Sequence, residues 1–367
     1  MSTDSRPPRT ASRNIPWLPA TVDKTVKRLA VLSLIGQTIL IVTGGAVRLT
    51  SSGLGCPTWP RCTDASLGNT PEMGIHGIIE FGNRLLTFAL AAIAVAMLVY
   101  LWNLRKERRD LFLLALGLLA SIPAQAVIGG ITVLTRLNPW VVGLHFLVSM
   151  ALVVVATLLV NRAHGRTGKF QVAELPALPG VARPLMTAVA LFSALAVGLG
   201  VVVTGAGPHA GDADAPRNNL DWDLFAHIHA VPAYLITAGT LFALYLVLRD
   251  RIAGPFRTAV VMLLGITVLQ AVIGFTQYYN GIPALLVGAH MLAAALLMSA
   301  ATNAADLARY RVERRRTFLG KWAVERLIGY GMLAPALFDR AVDRLARRDR
   351  GHTLIGVTGD FLPARAV

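Results

Sequence analysis

The chain has 367 residues, of which 54% are hydrophobic and 15% charged, and its formal net charge is +15. This composition excludes an ordinary soluble domain, since such domains carry about 25% charged residues. The positive charge does not indicate a nucleic-acid partner, because its distribution follows the topology expected of a membrane protein.

Eight apolar segments are long enough to cross a bilayer as helices, which takes roughly 20 residues each. The first follows a basic lead and has no cleavage site of small residues, so we expect a retained helix and not a signal peptide. The fold class predicted is therefore an all-α integral membrane protein with eight transmembrane helices. The segments are residues 29–47, 76–102, 111–134, 139–160, 184–204, 224–248, 257–279 and 282–302.

Lysine and arginine concentrate in the two tails and in the loops after spans 2, 4 and 6. By the positive-inside rule both termini are then cytoplasmic, which predicts a multi-pass protein of the plasma membrane. Five basic residues depart from this distribution and are expected on the outer side: Arg48, Arg61, Arg84, Arg136 and Arg217.

Both cysteines, Cys56 and Cys62, lie in the outer loop between spans 1 and 2. The outer side of a bacterial membrane is oxidising, so a disulfide is favoured over two free thiols. Whether its role is structural or redox stays open.

The sequence Gln-Ala-Val-Ile-Gly occurs at 125–129 and again at 270–274, and the same offset of 145 relates His145 to His290. This repeat predicts two four-helix halves. Because each half has an even number of spans, both keep one orientation, and a pseudo-twofold axis along the membrane normal relates them.

The repeat divides the chain into five parts. In the last part, residues 321–348 have the spacing of an amphipathic helix on the inner leaflet, although partial disorder is the alternative. The parts are a cytoplasmic tail (1–28), the N-terminal half (29–161), a cytoplasmic linker (162–183), the C-terminal half (184–302) and a basic cytoplasmic tail (303–367).

Four histidines, His76, His145, His229 and His290, lie at matched depth near the outer ends of their segments. Placing an imidazole in hydrocarbon costs free energy, so four histidines at one depth indicate a common function. Imidazoles on facing helices of a bundle bind haem iron from both sides. A zinc site is disfavoured, because no cluster of cysteines or carboxylates accompanies the histidines, apart from the single carboxylate of Glu80.

The two halves offer different ligands. His229 and His290 serve the C-terminal half, while His227 points roughly 200° away from His229 on the same helix. Alignment of spans 2 and 6 places Asn83, a poor iron ligand, opposite His229. We therefore expect His145 to pair with His76, which shares a helical face with Asn83 about two turns nearer the surface.

Glu80 is a carboxylate within a span. One interpretation is a salt bridge to Arg84 at i+4, and the other, which we favour, is an acid or base facing the macrocycle. Arg48, Arg84 and Arg136 lie near the histidine level, where they either bind haem propionates bidentately or reach towards the interface as long side chains do.

Four segments resemble haem A synthases, and the likeness covers about residues 30–302. The longest is Thr43-Gly-Gly-Ala-Val-Arg-Leu-Thr-Ser-Ser-Gly-Leu-Gly-Cys-Pro-Thr-Trp-Pro-Arg-Cys62. The others are Ile79-Glu-Phe-Gly-Asn-Arg84, Gly129-Gly-Ile-Thr-Val-Leu-Thr135 and Pro139-Trp-Val-Val-Gly-Leu-His145.

The resemblance implies an enzyme that oxidises the C8 methyl of haem O to the formyl of haem A for cytochrome oxidase. It implies a haem b cofactor between His229 and His290, and a substrate haem O bound through His145, with Glu80 catalytic. Asn83 departs from the family, which usually has histidine there, and Ala230 replaces a common arginine.

The implied partners are haem O synthase, cytochrome oxidase assembly factors and membrane lipid, and the oligomeric state stays open, a homo-oligomer included. Two other functions remain open from the residues. One is a bis-histidine dihaem cytochrome b for quinol-linked electron transfer, and the other is a haem chaperone or transporter.

Overall fold

The computed structural model describes residues 15–167 and 178–331, with side chains described as far as residue 309. All eight long helices have the length and apolar composition needed to cross a membrane, which confirms the predicted fold class. No strand occurs in these two ranges. The helices are α1 (Lys24–Leu49), α2 (Gly74–Tyr100), α3 (Arg109–Leu134), α4 (Pro139–Ala163), α5 (Ala182–Ala206), α6 (Trp222–Arg249), α7 (Pro255–Tyr279) and α8 (Ala284–Gly331).

Local sequence explains where several helices begin. Hydrocarbon offers no partner to backbone groups, so each span closes its own hydrogen bonds as a helix. Asp23 caps α1 by accepting from the Val26 N–H at 2.9 Å, and Asp221 caps α6 in the same way. Pro139 and Pro255 occupy the first positions of α4 and α7, where a missing N–H costs nothing.

The helices form two rings of contacts, one of α1–α4 and the other of α5–α8. Between the rings, α1 contacts α8, α4 contacts α5, and α4 contacts α8. Exchanging α1–α4 with α5–α8 leaves this set of contacts unchanged. The packing therefore supports the two-half interpretation drawn from the repeat.

Equivalent residues of the two halves behave alike. Asn161 and Asp306, 145 positions apart, contact each other, with Nδ2 donating to Oδ2 at 3.0 Å, as residues near a twofold axis can. The α3–α4 turn has left-handed backbone at Leu137 (φ 60°), and the α7–α8 turn has the same at Ile282 (φ 60°). The offset of 145 thus relates local structure as well as sequence.

We call the end of the bundle where α1, α3, α5 and α7 begin the basic end, and the opposite end the histidine end. The closely packed apolar cores of both halves lie towards the basic end; Met97, Leu111 and Leu159 belong to one, and Met186, Phe256 and Leu307 to the other. The histidine end has no comparable cluster among the described residues. Because tight apolar packing is confined to the basic end, a ligand would be accommodated at the histidine end.

The boundary expected at residue 302 is not a helix end, since α8 continues to Gly331 without a break. This region is rich in alanine, arginine and glutamate, which favour helix and therefore do not stop it. The expected amphipathic stretch 321–348 overlaps α8 as far as residue 331. The remainder of that stretch lies outside the described residues, as do 1–14 and 168–177.

Candidate haem sites

Two imidazoles face each other at the histidine end of the C-terminal half. His229 on α6 and His290 on α8 have ring centroids 6.2 Å apart and ring planes inclined by 70°. A glycine faces each ring from a neighbouring helix. A Cβ at Gly200 would lie 3.1 Å from Cε1 of His229, and one at Gly274 would lie 3.4 Å from Cε1 of His290.

The spacing of the two rings fits an iron between them. A metal bound to one nitrogen of each ring at about 2 Å separates the ring centroids by roughly 6 Å. The Nδ1 atoms are covered and make no hydrogen bond of ordinary geometry to the described residues, although the Ala196 carbonyl lies near the His229 ring. Two imidazoles that face each other at this spacing suit one shared metal.

The donor set is not that of a bare metal ion. No group of three or more His, Cys, Asp or Glu that could hold a metal ion occurs within the described ranges. Two imidazoles suit an iron whose other ligands come from a porphyrin. His227 faces the other way, with its side chain 67% exposed and its Nδ1 bonded to the Asp223 carbonyl at 2.8 Å.

The N-terminal half repeats one member of this pair. His145 on α4 corresponds to His290, and Gly129 on α3 corresponds to Gly274. A Cβ at Gly129 would lie 3.4 Å from Cε1 of His145, the same distance as in the other half. The Nδ1 of His145 is likewise buried without a partner in the described structure. The histidine and glycine therefore form one contact that the two halves share.

Asn83 is engaged elsewhere. Its Oδ1 accepts a hydrogen bond of 2.7 Å from the Thr43 hydroxyl of α1. This bond links α1 to α2 at the level where His229 stands in the other half. The two halves are therefore chemically different at equivalent positions.

His76 lies in the first turn of α2 and is exposed. Its Nδ1 is 2.9 Å from the Ser52 hydroxyl, which orients the ring towards the first outer loop. No ring contact joins His76 to His145 among the described residues, in contrast to His229 and His290. Pairing of these two histidines on one iron thus stays a prediction.

Glu80 anchors the loop that follows α1. Its side chain is buried, with Oε1 bonded to Arg84 and Oε2 accepting from the Cys56 N–H at 2.6 Å. Arg84 also donates to the carbonyls of Cys56, Thr58 and Arg61. The expected salt bridge is present, and the pair fixes the loop against α2.

The same loop closes on itself through the predicted disulfide between Cys56 and Cys62, both fully buried. Trp59, within the disulfide loop, packs on α3, since a Cβ at Gly130 would lie only 2.4 Å from its ring. The sequence analysis did not predict this contact. The signal was the glycine pair at 129–130, where one glycine faces a histidine and the next a tryptophan.

Arg48 ties the two halves together at the histidine end. Its guanidinium donates to the carbonyls of Thr204 (2.7 Å), in the last turn of α5, and His209 (2.5 Å), just after α5. His209 in turn bonds the Ile282 carbonyl through Nε2 at 2.9 Å. Arg136 lies in the α3–α4 turn with left-handed backbone (φ 51°).

Comparison with known proteins gives a consistent result. A model of the family described as "Cytochrome oxidase assembly protein" (COX15-CtaA) matches residues 27–302. The chain is 26% identical over 285 residues to proteins named "Heme A synthase" from Listeria welshimeri and Listeria monocytogenes, covering 75% of this chain and 93% of each relative. A protein of the same name from Bacillus licheniformis is 27% identical over 149 residues, covering 40% of this chain and 48% of the relative.

Proposed function

This chain belongs to the COX15-CtaA family of cytochrome oxidase assembly proteins, and we propose that it is a haem A synthase with one haem site in each four-helix half. Such an enzyme oxidises a ring methyl of haem O to the formyl group of haem A. The observation that carries the two-site proposal is the histidine–glycine contact repeated at Gly129–His145 and Gly274–His290.

The C-terminal half holds the cofactor, haem b, between His229 and His290. Their centroid separation of 6.2 Å and their half-buried position support this assignment. A haem b held by these two histidines would supply one-electron chemistry. Gly200 and Gly274 keep the neighbouring helices close while leaving the rings free to turn towards the ligand.

The N-terminal half holds the substrate, haem O, through His145. His76 is the proposed second ligand, because the Ser52 contact at Nδ1 leaves Nε2 available and fixes the ring, as outer hydrogen bonds do for metal-binding histidines. Arg48, Arg84 and Arg136 are the proposed propionate partners. Arg48 and Arg84 already bind carbonyls, but a guanidinium has five N–H donors, so further donors remain.

Glu80 is the proposed catalytic group. Each of two oxidation steps would replace one C–H bond of the ring methyl by a C–O bond, release that hydrogen as a proton and pass two electrons to an external oxidant. The product is first an alcohol and then a hydrated aldehyde, which loses water to give the formyl group. Loss of electrons builds positive charge beside the ring. A carboxylate close to that carbon stabilises the charge or takes the proton. Arg84 and the Cys56 N–H each occupy one oxygen of Glu80, and further lone pairs remain on both oxygens.

The protein is a multi-pass membrane protein, and we place it in the plasma membrane with both termini cytoplasmic and the haem sites towards the outer face. The basic residues at the basic end support this orientation. The proposed partners are haem O synthase, cytochrome oxidase assembly factors and membrane lipid.

A dihaem cytochrome b is the second candidate, and the His229–His290 pair by itself would suit it. Such a protein has no need of a buried Glu80 anchored to a disulfide loop. A haem chaperone or transporter would bind haem without changing it chemically.

Pigment analysis tests the proposed function. The chain would be expressed with a haem O synthase in a host without its own haem A synthase, and membrane haems would be extracted and separated. We expect haem A to appear only when the chain is present. Two haem b per chain without any haem A would instead establish the cytochrome.

A further inference from the structure

A small polar group lies one helical turn from His145, towards the basic end. It consists of Gln125 on α3 and Ser149 on α4. The Ser149 hydroxyl donates to the His145 carbonyl at 2.9 Å, and Nε2 of Gln125 lies 2.6 Å from the Ser149 oxygen. Oε1 of Gln125 is buried and has no partner in the described part of the chain.

The direction of these bonds fixes the orientation of the amide. Because Ser149 uses its single proton on the His145 carbonyl, Gln125 must be the donor in the bond between them. The nitrogen of the amide therefore faces Ser149, and the oxygen is the atom left without a partner. A buried carbonyl oxygen in this state lacks a donor that a ligand can supply.

The C-terminal half has the same glutamine but not the same group. Gln270 corresponds to Gln125, and its Oε1 is also buried without a partner in the described structure. Ala294 corresponds to Ser149, so no hydroxyl there holds the amide. The serine that orients the amide is thus particular to the half proposed to bind substrate.

We propose that Gln125, held by Ser149, recognises the hydroxyl group of the hydroxyethylfarnesyl arm of haem O. This inference rests on the proposed function, with the propionates towards the arginines at the histidine end. The hydroxyl lies on the ring edge opposite the propionates, and therefore towards the basic end. Gln125 and Ser149 lie on that same side of His145, with Ser149 one helical turn, about 5.4 Å, further along α4.

The two haems differ at this edge. Haem b carries a vinyl group where haem O carries the hydroxyl, so only haem O can donate to Oε1 of Gln125. A site built to bind a hydroxyl discriminates against an analogue that lacks it, because the polar group of the site is then left unpaired. Gln125 is accordingly a specificity-determining residue for the substrate.

Binding measurements on the full-length protein, purified from cells without haem O, test the proposal. Haem O and haem b would each be titrated into the wild type and into Gln125→Leu, with difference spectra as the readout. We expect Gln125→Leu to weaken haem O binding about tenfold and to leave haem b binding at the same site unchanged. Ser149→Ala should shift the ratio of the two affinities in the same direction by less.

Gln270→Leu is the matched control, since it removes the equivalent amide from the other half, and the haem O affinity should stay at the wild-type value. Equal weakening of both haems by Gln125→Leu, or unchanged haem O affinity, would overturn the inference. Either result in a protein that still makes haem A would leave the proposed function intact. A wild type that makes no haem A would overturn the proposed function itself.

Discussion

The N-terminal and C-terminal halves have the same helix arrangement but differ in how many histidines are placed to bind a haem iron. In the C-terminal half two histidines already face each other at a spacing that suits an iron. In the N-terminal half His145 keeps its place, but Asn83 bonds Thr43 where the second imidazole would stand. The N-terminal half adds Glu80 and a disulfide loop, which have no counterpart in the other half.

Under the proposed function, this difference would separate a cofactor site from a substrate site. Two strong ligands on one iron retain a haem permanently, which suits a cofactor. A half with weaker or more distant ligation can release its haem after reaction, and a buried carboxylate gives it chemistry that the other half lacks. Duplication followed by change in one copy is a simple origin for such a pair.

The strongest test removes the pair in the C-terminal half. His229→Ala or His290→Ala should abolish the absorbance of haem b, because one imidazole cannot hold the iron from both sides. Visible spectra of the purified variants measure this. The matched control is His227→Ala, whose exposed ring lies two residues away and should leave the spectrum unchanged. Retention of the bis-histidine spectrum in His290→Ala would contradict the assignment.

The next test neutralises the carboxylate peculiar to the N-terminal half. Glu80→Gln should lower haem A formation by about 10² or more and cause haem O to accumulate, since an amide neither takes a proton nor stabilises positive charge. The variant loses the ion pair with Arg84, but the amide oxygen still accepts from the Cys56 N–H. The disulfide and the bonds from Arg84 to the loop carbonyls also remain, so the loop should stay in place. Extracted haem O and haem A measure the effect.

Glu72→Gln provides the control for this variant, because Glu72 is an exposed carboxylate in the turn that precedes α2. Its haem A yield should equal that of the wild type. Normal haem A in Glu80→Gln would remove the carboxylate from the mechanism.

A smaller effect is expected at the proposed second ligand. His76→Ala should lower haem A formation about tenfold, because His145 alone would then hold the substrate iron. Adding Asn83→His to this variant places an imidazole where the C-terminal half has His229, and should restore a bis-histidine spectrum at the substrate site. Unchanged turnover and spectra in His76→Ala would show that His76 is not a ligand.

The smallest effect on the haems is expected at the basic end. Asp306 accepts from Asn161 and Thr167 and pairs with Arg162 at 2.8 Å, which joins the two halves near their axis. Asp306→Asn leaves a half-buried arginine unpaired and should lower the melting temperature in detergent by a few degrees, equivalent to about 1–3 kcal/mol. The haem content per chain should not change.

Asp250→Asn is the control for that variant, since it breaks an exposed ion pair with Arg249 at the same end. Exposed pairs contribute little, so its melting temperature should match the wild type. Equal shifts of the melting temperature in both variants would mean that the contact between the halves stabilises the protein no more than an exposed ion pair does.

The eight-helix fold was predictable from the sequence and is confirmed. Hydropathy gave the eight helices, since length and apolar composition alone determine which segments can cross a membrane. The offset between His145 and His290 led to equivalent glycine contacts, because a repeated sequence folds into repeated local structure. Alignment of the two halves favoured His229 over His227, and the ring of His229 lies beside that of His290, while their binding of one iron stays a prediction.

Contacts made by loops were not predictable. Trp59 lies on Gly130, and Arg48 binds carbonyls at the end of α5 and just after it. Neither contact follows a regular spacing in sequence. Such contacts depend on how a loop folds over helix ends, which no local pattern encodes. The engagement of Glu80 with the Cys56 N–H belongs to the same class. The continuation of α8 was missed because hydropathy reports where a membrane ends and not where a helix does.

The unbroken α8 has a mechanical consequence. Its 48 residues form a rod about 72 Å long, more than twice the thickness of a hydrocarbon layer of roughly 30 Å. One stiff element therefore carries His290 near one face and extends far past the other. Any displacement applied to the protruding stem would reach the imidazole along a continuous ladder of backbone bonds, without a hinge to absorb it.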